Sequence, residues 1–167
     1  HPIPTNTKKN SFGFIIDLQW LLHHKVSLLK PKFGELIAFR KMFKNIDDTA
    51  SDEEYIAMLI RNKNLNGYYA SNAIVYNTGP TIITDFLNQR RRCYWGYLDL
   101  KKKHNHKPPT MDNFHILKIL LKEINIKNIS TVIIAILLES YGRLLGIYDY
   151  YTNKNHYIWN IAKTANK

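Results

Sequence analysis

The alternation of apolar and polar residues has a helical period in five parts of the chain. In each part, apolar side chains recur every three or four positions, which places them along one face of a helix. Pro31 follows the first part and Gly79-Pro80 precedes the third, and both mark helix boundaries because proline disrupts a helix interior. The predicted helices fall within residues 12–30, 47–64, 81–103, 113–124 and 130–151.

Two shorter stretches predict β-strands. Residues 34–42 are apolar and are opened by Gly34, which suits a strand or a tight turn that leads into one. Residues 68–78 are rich in aromatic and β-branched side chains, which favour extended backbone. Residues 104–110 are expected to form a linker. The pattern therefore predicts strands between helices in the first hundred or so residues, followed by helices alone.

The second helical segment begins with an acidic cluster. Ser51 and Glu54 are spaced as a capping box, which predicts the start of the helix, and Gly67 is expected to end it. Asp52 and Glu53 complete the acidic first turn. Carboxylates favour helix N-termini in general, and one placed beside a loop could also act as a general base. The spacing alone leaves both interpretations open.

Three consecutive arginines lie within the third helical segment. On a helix, one largely apolar face would carry Gln89, Arg92, Cys93 and Gly96. Arg92 would then be a cation in an apolar setting, which is unfavourable unless an anion lies opposite it. That anion is either an internal carboxylate or a bound ligand, and periodicity does not choose between them. Arg90 and Arg91 are expected to point away, toward solvent or a phosphate.

The charge of the chain favours an anionic partner. Its 167 residues carry a formal net charge of +11, and the sequence pI is about 9.7. Nucleic acid is the less favoured partner because the arginines are split around a helix and no zinc-finger, RRM or KH signature is present. Cys93 is the only cysteine, so the chain forms no internal disulfide.

The apolar segments of the chain predict that it does not cross a membrane, and they leave open whether it lies on one. The most apolar run, residues 132–138, is far shorter than the roughly 20 residues that span a bilayer, and Glu139 and Arg143 follow it. The first residues lack the features of a signal peptide. Residues 115–124 and 133–148 have apolar faces beside basic residues, which suits either a membrane interface or packing within the protein.

The motifs and their order resemble the C-terminal half of the catalytic domain of family 2 glycosyltransferases, which are inverting enzymes with a GT-A fold. Asp52-Glu53 is similar to the acidic pair that opens a helix in that family. Residues 67–86 resemble its strand pair and proline turn, and residues 89–93 resemble its Gln-x-x-Arg-Trp motif with Cys93 in place of tryptophan. Residues 31–43 are similar to the strand before the acidic pair. The tail, residues 146–167, resembles the ends of archaeal membrane-associated members.

The resemblance implies transfer of a sugar from a nucleotide-diphosphate donor to an acceptor hydroxyl, with inversion, on a lipid-linked or polysaccharide acceptor. Its register assigns the catalytic base to Glu53, with Asp52 as the alternate. It assigns Gln89 and Arg92, together with Arg90, to the acceptor and the donor diphosphate. Gly34 would lie on the acceptor side.

The resemblance also implies an α/β fold class. Residues 1–107 would be the acceptor-side half of a GT-A domain lacking its N-terminal nucleotide-binding half, and residues 108–167 a helical segment that suits a membrane interface. The family binds a divalent metal, Mg²⁺ or Mn²⁺, through an Asp-x-Asp motif that this chain lacks, so no metal is expected on this chain alone.

We therefore expect the chain to be part of a longer enzyme and to be inactive by itself. The expected partners are a nucleotide-sugar donor, a hydroxyl acceptor, the N-terminal half of the enzyme and an anionic membrane surface. A cytoplasmic location follows, with peripheral attachment to the cytoplasmic face of the membrane left open. The alternative is a non-catalytic basic module that binds an anionic lipid, a polymer or nucleic acid.

Overall fold

The computed structural model describes residues 1–5 and 10–158, and these are mainly helical. Two predictions therefore lie in part outside the described residues: the polar start of the chain and the tail after residue 158. In chain order the elements are β1 (Pro2–Pro4), α1 (Ser11–Leu29), α2 (Asp52–Arg61), β2 (Val75–Asn77), α3 (Ile83–His104), a 3-10 turn (Pro109–Met111), α4 (Asn113–Glu123) and α5 (Ile129–Tyr151).

Helix α1 lies at the centre of the described residues. The side chain of Asn10 caps its start by accepting a hydrogen bond from the Gly13 amide, at 2.8 Å, and the helix ends before Pro31 as predicted. One side of α1 packs with α3, and another packs with α4 and α5. The first cluster contains Ile15, Ile16, Trp20 and Phe86, and the second contains Leu18, Leu120 and Val132.

The only sheet among the described residues is a parallel pair of three-residue strands. β1 pairs with β2 in the register Pro2 to Val75 and Pro4 to Asn77. The strand predicted within residues 68–78 is thus confirmed only for its last part. The strand predicted at residues 34–42 is wrong, because this stretch has no neighbouring strand to bond with, and its Leu36 is 76% exposed. The partial GT-A classification stays a prediction.

Helix α2 begins at Asp52 as predicted, but the predicted capping box at its start and the predicted end at Gly67 are both wrong. Ser51 makes no side-chain capping bond, and Glu54 is turned into the interior instead of toward the helix end, so the capping box is wrong. The helix ends at Arg61, well before Gly67. A side chain at Gly67 would place its Cβ 2.5 Å from the Phe33 ring, so this glycine allows close packing and does not cap the helix.

Helices α3 and α5 form the most extensive contact between elements, and they run in the same direction. Two glycines of α5 allow the close approach. A Cβ at Gly142 would lie 2.6 Å from the Arg90 Cβ, and one at Gly146 would lie 2.7 Å from the Arg91 carbonyl oxygen. Small residues four positions apart let two helix backbones meet in this way. The resulting interface holds α3, which carries the predicted site residues, in one position.

Candidate functional site

Helix α3 presents a different face to each of three neighbours. Phe86 and Arg90 face α1, where Phe86 joins the core. Arg91 faces α5, where its guanidinium donates two hydrogen bonds to the Asp149 carboxylate. Gly96 faces the start of α2. The expectation that Arg90 and Arg91 point toward solvent or a phosphate is therefore wrong, since both are engaged inside the fold.

The contact at Gly96 brings the two sequence motifs together. A Cβ placed on Gly96 would lie 3.3 Å from the Cβ atoms of both Ala50 and Ser51, the residues just ahead of the acidic turn. Arg92 and Gln89 share the Gly96 face of α3, one and two turns earlier respectively. We call this place, residues 50–53 together with Gln89, Arg92 and Gly96, the motif junction.

The predicted site residues differ in how far they are exposed at the motif junction. Asp52 and Glu53 are exposed at the first turn of α2, where a substrate could reach them. Gln89 and Arg92 are half-buried, and the buried Oε1 atom of Gln89 has no hydrogen-bond partner. A buried polar atom in that state is unfavourable by roughly 1–3 kcal/mol unless a ligand or water satisfies it.

Gly34 lies elsewhere, in the loop that follows α1. A Cβ at Gly34 would be 3.2 Å from the His23 ring. The loop carries Lys32, whose ammonium donates a hydrogen bond to His23 Nε2 at 2.9 Å. Gly34 therefore allows the loop to close over His23, and the structure does not bring it into contact with the motif junction.

A cluster of buried ionisable groups, which the sequence analysis missed, surrounds this loop. Burial, the positive charges of Lys32 and Arg90 and other nearby cations lower the pKa of His23 to about 2, so its ring is neutral at physiological pH. Lys32 donates to Nε2, so the ring proton lies on Nδ1, 3.9 Å from Glu35 Oε2. The sequence does not indicate this arrangement, because the positions of His23, His24 and Lys32 follow no helical or strand period.

Lys32 remains charged in this setting. Burial alone would lower the pKa of its ammonium, but the negative charges of the nearby Glu54 and Glu35 raise it above the ordinary value. Burial raises the pKa of Tyr97, so its phenol stays protonated. The cluster therefore places the permanently charged ammonium of Lys32 near Tyr97 of α3.

Glu54 is the buried carboxylate of α2, with 1% of its surface exposed. Its Oε2 atom lies 3.4 Å from His106 Nε2, while its buried Oε1 atom has no hydrogen-bond partner. Glu54 is thus separated from Asp52 and Glu53 by the turn of the helix, and it faces Lys32 and Tyr97 rather than the motif junction.

Arg90 lies between α1 and α3. With the Gln19 amide oriented so that its oxygen faces Arg90, that oxygen accepts hydrogen bonds from both Nη atoms, at 3.1 and 3.2 Å. The guanidinium also lies 5.9 Å from the centre of the Phe86 ring. Burial alone would lower its pKa, but Cys93, Glu139 and other nearby groups raise it. These contacts are those of a residue that positions α3.

The described residues do not fit the metal that the resemblance implies. Nowhere in residues 1–5 and 10–158 do three His, Cys, Asp or Glu side chains lie close enough together to hold a metal ion. A cavity of about 240 Å³ lies between α1, the 3-10 turn and α4, and its walls include Lys30, Lys107 and His115. It contains none of the predicted site residues.

Comparisons with protein-family models, with curated proteins and with solved structures find no match to this chain. The likeness to family 2 glycosyltransferases therefore depends on the motifs and on where the fold puts them.

Proposed function

We propose that the chain forms the acceptor-side half of an inverting glycosyltransferase that uses a nucleotide-diphosphate sugar. The observation that supports this most is the packing of Ala50 and Ser51 on Gly96. It joins two motifs that are separated by more than thirty residues in the chain. One supplies exposed carboxylates, and the other supplies an amide and a guanidinium, which are the groups that this reaction requires.

In the proposed reaction, the carboxylate of Glu53 takes the proton from the acceptor hydroxyl. The acceptor oxygen then forms a bond to the anomeric carbon from the side opposite the donor phosphate. The bond from that carbon to the phosphate oxygen breaks, and the nucleoside diphosphate leaves with the electron pair. Asp52, exposed beside Glu53, is the alternate base.

Gln89 and Arg92 are assigned to the leaving diphosphate. Negative charge grows on the departing phosphate during transfer, so a preorganised cation and amide stabilise the transition state more than the bound substrate. An amide oxygen accepts hydrogen bonds, so the buried Gln89 Oε1 atom without a partner suits a ligand hydroxyl or a water molecule, and only the amide NH2 would donate to the phosphate. Arg90 acts in this proposal by holding α3 in place, because Gln19 and Phe86 already occupy its guanidinium.

The donor-binding half is proposed to come from residues outside this chain or from a separate protein. The described residues offer no ligand set for a metal, so no step assigned to them runs through one. Residues 1–167 alone are expected to be inactive.

The test uses the protein purified from its source cells. Release of nucleoside diphosphate would be measured with a panel of nucleotide sugars. Glu53→Gln is expected to lower the rate at least 100-fold, because general-base catalysis contributes about that much or more. Asp17→Asn, at an exposed carboxylate of α1, is the matched control. Full activity in a Glu53→Gln, Asp52→Asn double variant would exclude the assignment.

A non-catalytic module that binds an anionic lipid or polymer is the second candidate. It is favoured by the apolar surface of α5 and the lysines of α4, which are independent of the motif junction. Binding without any donor turnover in the protein from source cells would support this candidate over the first.

A further inference from the structure

Helix α5 presents an exposed face that carries no charged side chain. Its charged residues are all engaged: Glu139 accepts a hydrogen bond from Arg143 at 2.7 Å, and Asp149 is buried against Arg91. The exposed large side chains of this face, which we call the α5 face, are Ile129, Ile133, Ile134, Ile136, Leu137, Tyr141, Leu144, Tyr148 and Tyr151.

Helix α4 contacts α5 at two places, in the order expected of helices that run in opposite directions. Arg143 Nη1 donates a hydrogen bond to Asn113 Oδ1 at 3.0 Å at one end of the pair, and Leu120 shares a buried cluster with Val132 at the other. The outer surface of α4 exposes Phe114, Leu117 and Leu121 together with Lys118 and Lys122. Apolar side chains and lysines therefore border the α5 face.

The chemistry of this surface fits a lipid bilayer with anionic headgroups. The α5 face extends for about 34 Å at 1.5 Å per residue, which is large for a patch that faces water. A protein partner that recognised the positive charge of this chain would contact charged side chains. The α5 face carries no charged side chain. Lysines at the border of an apolar helical surface, on a chain of net charge +11, are typical of attachment to anionic membranes.

Packing decides whether α5 crosses the bilayer or lies on it. Helix α5 has 23 residues and contains an 18-residue window with a mean hydropathy of 1.5, so it is long and apolar enough to span a membrane. The expectation from residues 132–138 alone, that the chain does not cross a membrane, did not take the whole helix into account. However, Gly142 and Gly146 hold α5 against α3, and Lys102 lies over the Tyr150 ring at 5.8 Å. A spanning α5 would draw the charged residues of α3 into the hydrocarbon, at several kcal/mol each.

We propose that the surface formed by α4 and the α5 face docks on an anionic bilayer, with α5 lying in the plane of the membrane. This inference does not depend on glycosyl transfer, because it uses neither the acidic turn of α2 nor the Gln89 and Arg92 side chains.

The first experiment measures binding of the full chain to vesicles of phosphatidylcholine alone and of equal parts phosphatidylcholine and phosphatidylglycerol. Leu137→Glu should weaken binding to the mixed vesicles at least tenfold. Lys118→Gln with Lys122→Gln should weaken it by about fivefold per lysine, only when phosphatidylglycerol is present. Leu36→Glu changes an equally exposed leucine outside the surface and is the control.

Unchanged vesicle binding in Leu137→Glu would overturn the docking proposal. If Leu137→Glu then also converts a dimer of the wild-type chain to a monomer, the α5 face is covered by a second copy instead of a bilayer. Circular dichroism of each variant would confirm that the helices remain formed.

A second experiment separates the in-plane arrangement from a spanning one. Because Cys93 is the only cysteine, a Cys93→Ser chain accepts a single spin label at Ile133→Cys, Leu137→Cys, Leu144→Cys or Tyr148→Cys. Collision rates with oxygen and with a water-soluble nickel complex report the depth of each label. Similar depths at all four positions are expected. Depths that increase toward the middle of α5 and decrease again would mean that the helix spans the bilayer.

Discussion

The two sides of α3 satisfy their polar groups to different degrees. Toward α5, Arg91 pairs with Asp149, and His156 Nε2 lies 2.7 Å from the same carboxylate. Toward α1 and α2, the buried Gln89 Oε1 and Glu54 Oε1 atoms have no hydrogen-bond partner. The charged groups of the first side are therefore paired within the fold, although the buried Nε1 atom of Trp95, whose ring contacts Tyr150 of α5, also has no hydrogen-bond partner. The second side retains buried polar atoms without hydrogen-bond partners. Such atoms are found more often in binding sites and active sites than elsewhere in a fold.

The largest effect is expected from removing the buried carboxylate. Asp149→Ala would leave the Arg91 guanidinium without its counter-charge, and the free energy of unfolding should fall by about 4 kcal/mol. Urea denaturation followed by circular dichroism would measure this. Asp17→Ala, at an exposed position, should change it by less than about 0.5 kcal/mol. If the two variants lose equal stability, the α5 side is not organised as described.

A smaller loss is expected from filling the helix contact. Gly146→Ala would place a Cβ 2.7 Å from the Arg91 carbonyl oxygen, so α3 and α5 would have to move apart. Overpacking of this kind lowers the free energy of unfolding by about 1–3 kcal/mol. The same denaturation assay applies, with Ser140→Ala on the exposed side of α5 as control. A stabilised Gly146→Ala chain would contradict the close contact.

On the side of α3 that faces α1 and α2, the buried His23 of α1 should make the free energy of unfolding depend on pH. The pKa of His23 is lowered to about 2 in the folded chain, below the ordinary value of roughly 6.5, so the unfolded chain binds one more proton between these values. The free energy of unfolding should therefore fall as pH decreases below about 6.5, by up to about 1.4 kcal/mol per pH unit.

Substituting His23 tests that slope. Unfolding of His23→Gln would be measured between pH 7 and pH 5, and its slope should be flatter than that of the wild type. His115→Gln, at an exposed histidine, is the control, and the slope should change more in His23→Gln than in this variant. Equal slopes in the wild type and His23→Gln would mean that His23 is not held neutral.

The smallest effect on stability is expected at Gln89. Gln89→Leu removes a buried oxygen that has no partner, so the free energy of unfolding should change by less than about 1 kcal/mol or rise slightly. Transfer activity in the protein from source cells should nevertheless be lost. A large loss of stability would mean that Gln89 has a structural role, like that of Arg91 and Asp149 on the α5 side of α3.

The helices of the chain could be predicted from its sequence because their apolar periods are long. The predicted segments overlap all five helices; α1 and α5 begin one residue before the predicted starts, and α3 begins two residues after its predicted start. The strand at residues 34–42 and the caps at Ser51 and Gly67 were predicted wrongly. Each of these features depends on tertiary contacts. Residues 34–42 have no neighbouring strand, Glu54 is turned into the interior instead of capping with Ser51, and Gly67 packs on the ring of Phe33.

The site could be predicted only in part for the same reason. Spacing placed Gln89, Arg92 and Gly96 on one face of α3. The directions of Arg90 and Arg91 could not be predicted, because Asp149, which binds Arg91, lies 58 positions further along the chain. The cluster around His23 and Lys32 arises from a loop without regular structure, for which the sequence has no periodic signal.

If the motif junction is one site, the substitution Gly96→Ala should disturb it. The added Cβ would lie 3.3 Å from the Cβ atoms of Ala50 and Ser51, so the start of α2 must shift by a few tenths of an ångström. We predict that kcat for sugar transfer by the protein from source cells falls about tenfold or more, with stability changed by less than about 1 kcal/mol. An unchanged kcat would contradict the account.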